Sequence, residues 1–306
     1  MADRDSKLKV YSVSMVFTAL VGFSFLFSKL AVMNGTPLQL ITYRFNFAVV
    51  AILAALALKI VKVDFRGKPF GRVLLIAAFY GGFIALQAIG ISFATSVEGG
   101  IIFAIVPIIT MVIASFLLHE RTTGIQKFFV SLSVSGVIIM FASSAGWTGS
   151  FNFLGLSLLF LSSLSMALSN VMMRHARHVL TPTEISFVIV TTCCIAANIV
   201  TVAAGIKSGT LMNYFMPMSD WKFAVAAIYL GVTCTFITSL LMSYMLAHME
   251  AVKATLFGNL STAISIVAGV LIFNEPLELY HIVCTLLIIA GVIGTSVSGR
   301  QVADRK

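Results

Sequence analysis

Residues Ser96–Ile138 read SVEGGIIFAIVPIITMVIASFLLHERTTGIQKFFVSLSVSGVI: an apolar run of helix length, a polar break at His119-Glu120-Arg121-Thr122, and a second apolar run carrying Gly136. The chain contains this passage twice. Moved by the interval from Val97 to Val252, the residues Ile109, Val112, Glu120, Leu132, Gly136, Val137 and Ile138 fall on Ile264, Val267, Glu275, Leu287, Gly291, Val292 and Ile293 without a gap. Matching aliphatic residues in two apolar helices carry little weight alone. A glutamate that interrupts the same pair of runs at the same register carries much more, and the passage reads as an internal repeat.

With 59% hydrophobic and 10% charged residues and a mean hydropathy of +1.04, the chain lies far from soluble globular proteins, in which about a quarter of residues are charged. It reads as an integral membrane protein. The four cysteines, Cys193, Cys194, Cys234 and Cys284, all lie in apolar runs with neither CxxC spacing nor a histidine set beside them, so they read as small buried hydrophobes and no metal is expected.

A helix that crosses ~30 Å of hydrocarbon needs ~20 mainly apolar residues. Breaking the chain at its charged and Gly/Pro/Asn clusters gives ten such runs: Tyr11–Met33, Leu38–Ile60, Val73–Ala94, Val97–Leu118, Ile125–Ala145, Phe153–Arg174, Glu184–Ile206, Phe223–Ala247, Val252–Phe273 and Leu279–Ser298. Most breaks are short, so neighbouring helices run antiparallel. Positive residues are retained on the cytoplasmic side during insertion. With the N-terminus inside, nearly all lysines and arginines fall in cytoplasmic segments; Lys207 and Lys222 lie outside, and Lys29 and Arg44 are left within the membrane towards its outer side. The net charge of +9 is therefore topological and does not call for a nucleic-acid partner.

The first helices of the two halves also correspond: Ser24, Lys29 and Pro37 meet Ser169, Arg174 and Pro182. The expected organisation is all-α, with residues 8–146 forming a first repeat of five transmembrane helices and 151–299 a second. Five is odd, so the second repeat enters the membrane inverted relative to the first, an arrangement that places a binding site near the midplane between repeats in alternating-access carriers.

The run Ser28-Lys29 to Thr36-Pro37-Leu38-Gln39-Leu40 with Arg44, then Ala94-Thr95-Ser96, Pro107, His119-Glu120-Arg121, Gln126 and Gly136, resembles an EamA domain of the drug/metabolite transporter superfamily. Ala251, Asn274-Glu275-Pro276, His281 and Gly291 resemble its second copy. The resemblance covers nearly the whole chain. It implies ten helices, cytoplasmic termini and a central cavity lined by helices one, three and four with six, eight and nine. The second copy departs from the pattern, with Ile189 in the place of Arg44 and Thr262 in that of Pro107, so symmetric ligand binding by the halves is not expected.

A charge at the bilayer centre costs on the order of 2.5–3.5 kcal/mol even on the gentlest scales, so Lys29, Arg44 and Glu98 each need a reason. Lys29 is roughly 6 Å from the end of its helix at 1.5 Å per residue, within reach of snorkelling; a coupling or ion-pair role is the alternative. Arg44 lies deeper and either pairs with a neighbour or carbonyls or touches ligand. For Glu98, Thr95-Ser96-Val97-Glu98 has capping-box spacing, while pairing with Lys29 or Arg44 and a role in proton coupling stand beside that reading. Glu120 and Glu275 read as caps of the helices that follow them. The candidate substrate-binding residues are Ser24, Ser28, Tyr80, Gln87, Ser169, Asn170, Ser239, Tyr244 and Asn259, polar groups on the cavity-lining helices; hydroxyls in membrane helices also commonly bond backbone.

These features lead to a secondary active transporter of small organic metabolites, exporting amino acids or related compounds across a prokaryotic plasma membrane. The alternative is an uptake carrier or facilitator for cationic or amphipathic solutes such as quaternary amines. A membrane-embedded enzyme is disfavoured: there is no HExxH, GxSxG or Walker sequence. The expected partners are a small-molecule substrate, the lipid bilayer and the proton as candidate coupling ion, with no cofactor and a monomeric or homodimeric state.

Overall fold

The computed structural model describes residues 2–64, 70–117, 123–146, 153–176, 179–210, 214–248 and 251–303. Its α-helices are α1 (Ala2–Gly22), α2 (Ser24–Asn34), α3 (Pro37–Ala57), α4 (Phe70–Phe93), α5 (Ser96–Phe103), α6 (Val106–Leu117), α7 (Gly124–Gly146), α8 (Phe153–Ala176), α9 (Pro182–Ser208), α10 (Trp221–Ile228), α11 (Thr238–His248), α12 (Ala251–Phe273) and α13 (Leu279–Ala303). They form ten rods, because α1 continues into α2, α5 into α6, and α10 into α11 through a π-helical segment, Tyr229–Ile237. Seven rods are long and apolar enough to cross a membrane, and the described apolar stretches of the other three, Gly124–Ile139, Ile264–Phe273 and Leu279–Gly294, are shorter. The rods follow the ten runs expected from the sequence.

Helix starts repeat between the halves as residue chemistry dictates. Thr36 caps α3 and Thr181 caps α9, each followed by a proline that needs no N–H partner, and the side chains of Gln39 and Glu184 reach back to the cap N–H. Gln126 reaches back to the Thr123 N–H at 2.8 Å, and His281 Nδ1 accepts from the Glu278 N–H at 3.1 Å at the corresponding point of the second repeat. The break between α5 and α6 falls just before Pro107, whose ring cannot supply the N–H for Phe103 O; the chain tightens there, with Ile105 N donating to Ile102 O.

The main packing joins one repeat to the other. Helix α4 lies along α8, α7 along α13, α1 along α12 and α3 along α9. Under an exchange of repeats, contacts must occur in swapped pairs. The α1–α12 contact has its counterpart in α5 and α6 on α8, the α4–α8 contact in α1 on α11 with α2 on α10, and the α3–π contact in α4 on α9. The α3–α9, α5–α12 and α7–α13 pairs map onto themselves. Small residues allow close crossings: a Cβ at Gly90 of α4 would lie 3.2 Å from the Gly155 carbonyl oxygen of α8. Since each repeat has five rods, the second runs through the membrane in the opposite sense to the first.

Candidate functional site

The turn between α4 and α5 gathers Lys29 and Glu98, two of the three intramembrane charges singled out in the sequence. Where α4 ends, its last carbonyls carry partial negative charge; where α5 begins, its first N–H groups carry partial positive charge. Lys29 of α2 serves the first end, donating from Nζ to Ile91 O at 3.0 Å and Ala94 O at 2.6 Å. Glu98 serves the second within its own helix: Oε2 accepts from Thr95 N at 2.8 Å and Thr95 Oγ1 at 3.0 Å, while Glu98 N donates to Thr95 Oγ1 at 3.1 Å. The capping box is therefore present, and Lys29 bonds helix-end carbonyls rather than Glu98.

Glu275 corrects the sequence reading. Instead of capping the helix that follows it, it caps α5 of the other repeat: Oε1 accepts from Ser96 N at 2.9 Å, and Oε2 from Ser96 Oγ at 2.7 Å and Val97 N at 3.0 Å. Two local features aim it there. Asn274 ends α12 in the left-handed region at φ 50°, which asparagine tolerates better than most residues. Gly269 leaves the space, since a Cβ there would stand 2.5 Å from Glu275 Oε2 and 2.7 Å from Ser96 Oγ. One corner thus joins α2, α4, α5 and the α12–α13 connection through a lysine and two carboxylates on helix ends.

Arg44 occupies a different place. It is 4% exposed, and its Nε donates to Thr235 Oγ1 at 3.0 Å. Thr235 lies in the π segment and donates to Leu230 O, five residues back, at 2.9 Å. Tyr80 lies close to the guanidinium. Close approach of α3 to the π segment depends on Gly231, where a Cβ would lie 2.5 Å from Arg44 O and 2.7 Å from Phe47 Cβ. From Tyr80 an aromatic run extends across three helices: Tyr80 to Phe83 at 5.6 Å between centroids, Phe83 to Phe103 at 5.8 Å, and Phe103 to Phe25 at 5.4 Å.

The other candidates are spread more widely. Ser24 opens α2 and is half-buried; Ser28 is buried on the same helix. Gln87 is buried on α4. On α8, Asn170 is half-buried and Ser169 is fully buried, its Oγ without a hydrogen-bond partner among the described residues. On α11, Ser239 donates to Phe236 O at 2.7 Å and Tyr244 is half-buried. The Asn259 side chain lies outside the described residues, as does Glu120; its backbone belongs to α12. Several hydroxyls do what hydroxyls in membrane helices commonly do: Thr18 donates to Phe257 O at 2.9 Å, and Ser265 to Gly22 O at 2.6 Å beside the α1–α2 break.

The sequence reading missed a neutral seam between α3 and α9. Asn198 Nδ2 donates to Asn46 Oδ1 at 2.7 Å, Asn46 Nδ2 to the Tyr214 hydroxyl at 2.9 Å, and that hydroxyl to Asn198 Oδ1 at 2.6 Å, closing a ring. Thr42 and Thr201 hydroxyls meet at 2.6 Å, and Tyr43 donates to Tyr214 O at 2.6 Å. A signal existed: one asparagine on each of two apolar helices that the repeat makes equivalent.

The pattern of the EamA-like transporter family matches residues 9–142 and again 153–297. The chain belongs to the EamA-like transporter family. It is 33% identical over 289 residues to "Uncharacterized transporter YcxC" of Bacillus subtilis, covering 94% of this chain and 93% of that protein. It is 23% identical over 296 residues to "Uncharacterized transporter YyaM" of the same organism, covering 94% of each. A crystal structure with a TM-score of 0.62 over 95% of this chain and 99% of its own, at 16% identity, shares the fold. This EamA-like chain is a multi-pass membrane transporter, not an enzyme, and both repeats contribute to the corner at α4–α5.

Proposed function

We propose that the protein is a secondary carrier that moves small organic metabolites by alternating access and exports amino acids or related compounds from a prokaryotic cell. The observation that carries this reading is the corner at α4–α5, where Lys29 of one repeat and Glu275 of the other hold helix ends through polar contacts. Such contacts exchange with water at modest net free energy, about 1.5–3 kcal/mol for a hydrogen bond to a charged group. A corner held in this way can close one end of a pathway and still let go. Backbone irregularities support the same reading, because discontinuous helices mark carrier binding sites, and here they occur at α1–α2, α5–α6 and the π segment. The lysine and arginine distribution supports a corner on the outer face and termini in the cytoplasm. In this reading the proton is the coupling ion, with Glu98 as the candidate coupling residue.

The test is counterflow. In proteoliposomes loaded with unlabelled phenylalanine or leucine, uptake of the labelled compound should be accelerated over empty vesicles. Flux that depends only on the external gradient, unchanged by the internal load, would mean a facilitator.

A further inference from the structure

We infer that Arg44 is the anchor for a carboxylate on the transported solute, and that the substrate class is a monocarboxylate with an apolar body. This rests on the carrier reading above and gives its substrate a chemical identity. The guanidinium is nine-tenths buried, and among the described residues no carboxylate lies against it. Four described acids are committed elsewhere: Glu98 to Thr95, Glu275 to Ser96 and Val97, Glu184 to Thr181 and Asp64 N–H groups, and Asp220 to the Lys222 N–H. A buried cation without a counter-charge is unusual, because burial favours pairing.

Its orientation is fixed in a useful way. Thr235 holds Nε, so a carboxylate would be met by the two Nη groups, a fork that donates to it through parallel hydrogen bonds. Tyr80 lies beside the same guanidinium, and a phenol O–H there can donate to such a carboxylate. Thr235 reaches this position because the segment around it is π-helical and Gly231 brings the segment against α3; π-helical turns frequently mark functional sites.

Charge and surroundings narrow the class. One guanidinium balances one negative charge. The other intramembrane cation of this half, Lys29, is occupied by Ile91 and Ala94 carbonyls, so a phosphate or dicarboxylate would bring surplus charge into a low-dielectric site. The aromatic run from Tyr80 through Phe83 and Phe103 to Phe25 offers an apolar wall beside the anchor. The second repeat has Ile189 at the corresponding position, so the symmetry-related site offers no second guanidinium.

The experiment compares matched probes on detergent-solubilised full-length protein: phenylalanine, 3-phenylpropanoate, phenylalaninamide and phenethylamine. A ligand of the folded state raises its thermal stability. The two carboxylates should stabilise the wild type and the amide and amine should bind roughly ten- to a hundredfold more weakly, the range expected for charge-assisted hydrogen bonds. In Arg44→Gln the acid-over-amide preference should fall to about one. Arg44→Lys keeps the charge and loses the fork, and should keep only part of the preference. An arginine with a purely structural role would weaken all four probes together and leave their ratio unchanged. The inference is overturned if the amide or amine binds as well as the acids, if no carboxylate stabilises the wild type, or if folded Arg44→Lys keeps the full preference. Counterflow of any solute in the same preparation would leave the carrier reading standing in each of those cases, whereas its absence bears on the carrier reading alone.

Discussion

Two regions join the repeats by opposite means. The corner at α4–α5 uses charged side chains on helix ends, where N–H and C=O groups lack partners within the helix. The seam between α3 and α9 uses neutral side chains, Asn46 and Asn198 within the two helices and Tyr214 from the α9–α10 connection, which satisfy one another in a closed ring. Charged contacts at helix ends can be replaced by water when a pathway opens. A closed neutral ring packed between helices leaves its buried polar groups unpaired when it opens and is costly to break. The difference teaches that the corner is suited to move and the seam to stay.

The largest effect should come from Glu275→Ala, which strips the Ser96 and Val97 N–H groups of their acceptor. At about 1.5–3 kcal/mol for each bond to a charged group, counterflow should fall by more than about tenfold; an unchanged rate would remove the corner from the transport cycle. Asn198→Leu should act differently, leaving Asn46 and Tyr214 unpaired at about 1–3 kcal/mol. It should lower the thermal midpoint in detergent while the folded protein retains counterflow within about twofold. If Asn198→Leu instead matches Glu275→Ala in transport, the distinction between the two regions fails. The smallest effect belongs to Thr42→Val, which removes one hydroxyl pair with Thr201. Interhelical hydrogen bonds in membranes average about 0.6 kcal/mol, and a midpoint shift of several degrees would show that the seam is more strongly coupled than its bonds imply.

The ten rods were legible because each carries an uninterrupted apolar run, and the repeat because Glu120 and Glu275 interrupt two such runs at one register. The Glu98 cap was also legible, since Thr95 and Glu98 have the required spacing within four residues. Glu275 was assigned to the wrong helix for a physical reason. Sequence shows that a carboxylate sits between two helices, but the N-terminus it caps is 179 positions away and is reached only when the repeats interlock. The π segment had no signal in composition, because Tyr229–Ile237 is as apolar as its neighbours; its geometry comes from Gly231 against α3 and the Thr235 bond to Leu230 O. The environment of Arg44 was similarly hidden. The sequence shows an arginine within the membrane, whereas only the packed structure shows that Thr235, and no described carboxylate, holds it.

The exchange of partners between repeats, α1 with α12 and α5 and α6 with α8, bears on how such a chain could have arisen. The surfaces that fit together already belong to separate halves. A five-helix ancestor inserted in both senses in one bilayer would have had the same surfaces to offer, and a gene fusion would then have allowed each copy to drift. Arg44 facing Ile189 across the symmetry is the kind of divergence such a fusion permits, one half keeping the charge while the other becomes plain wall.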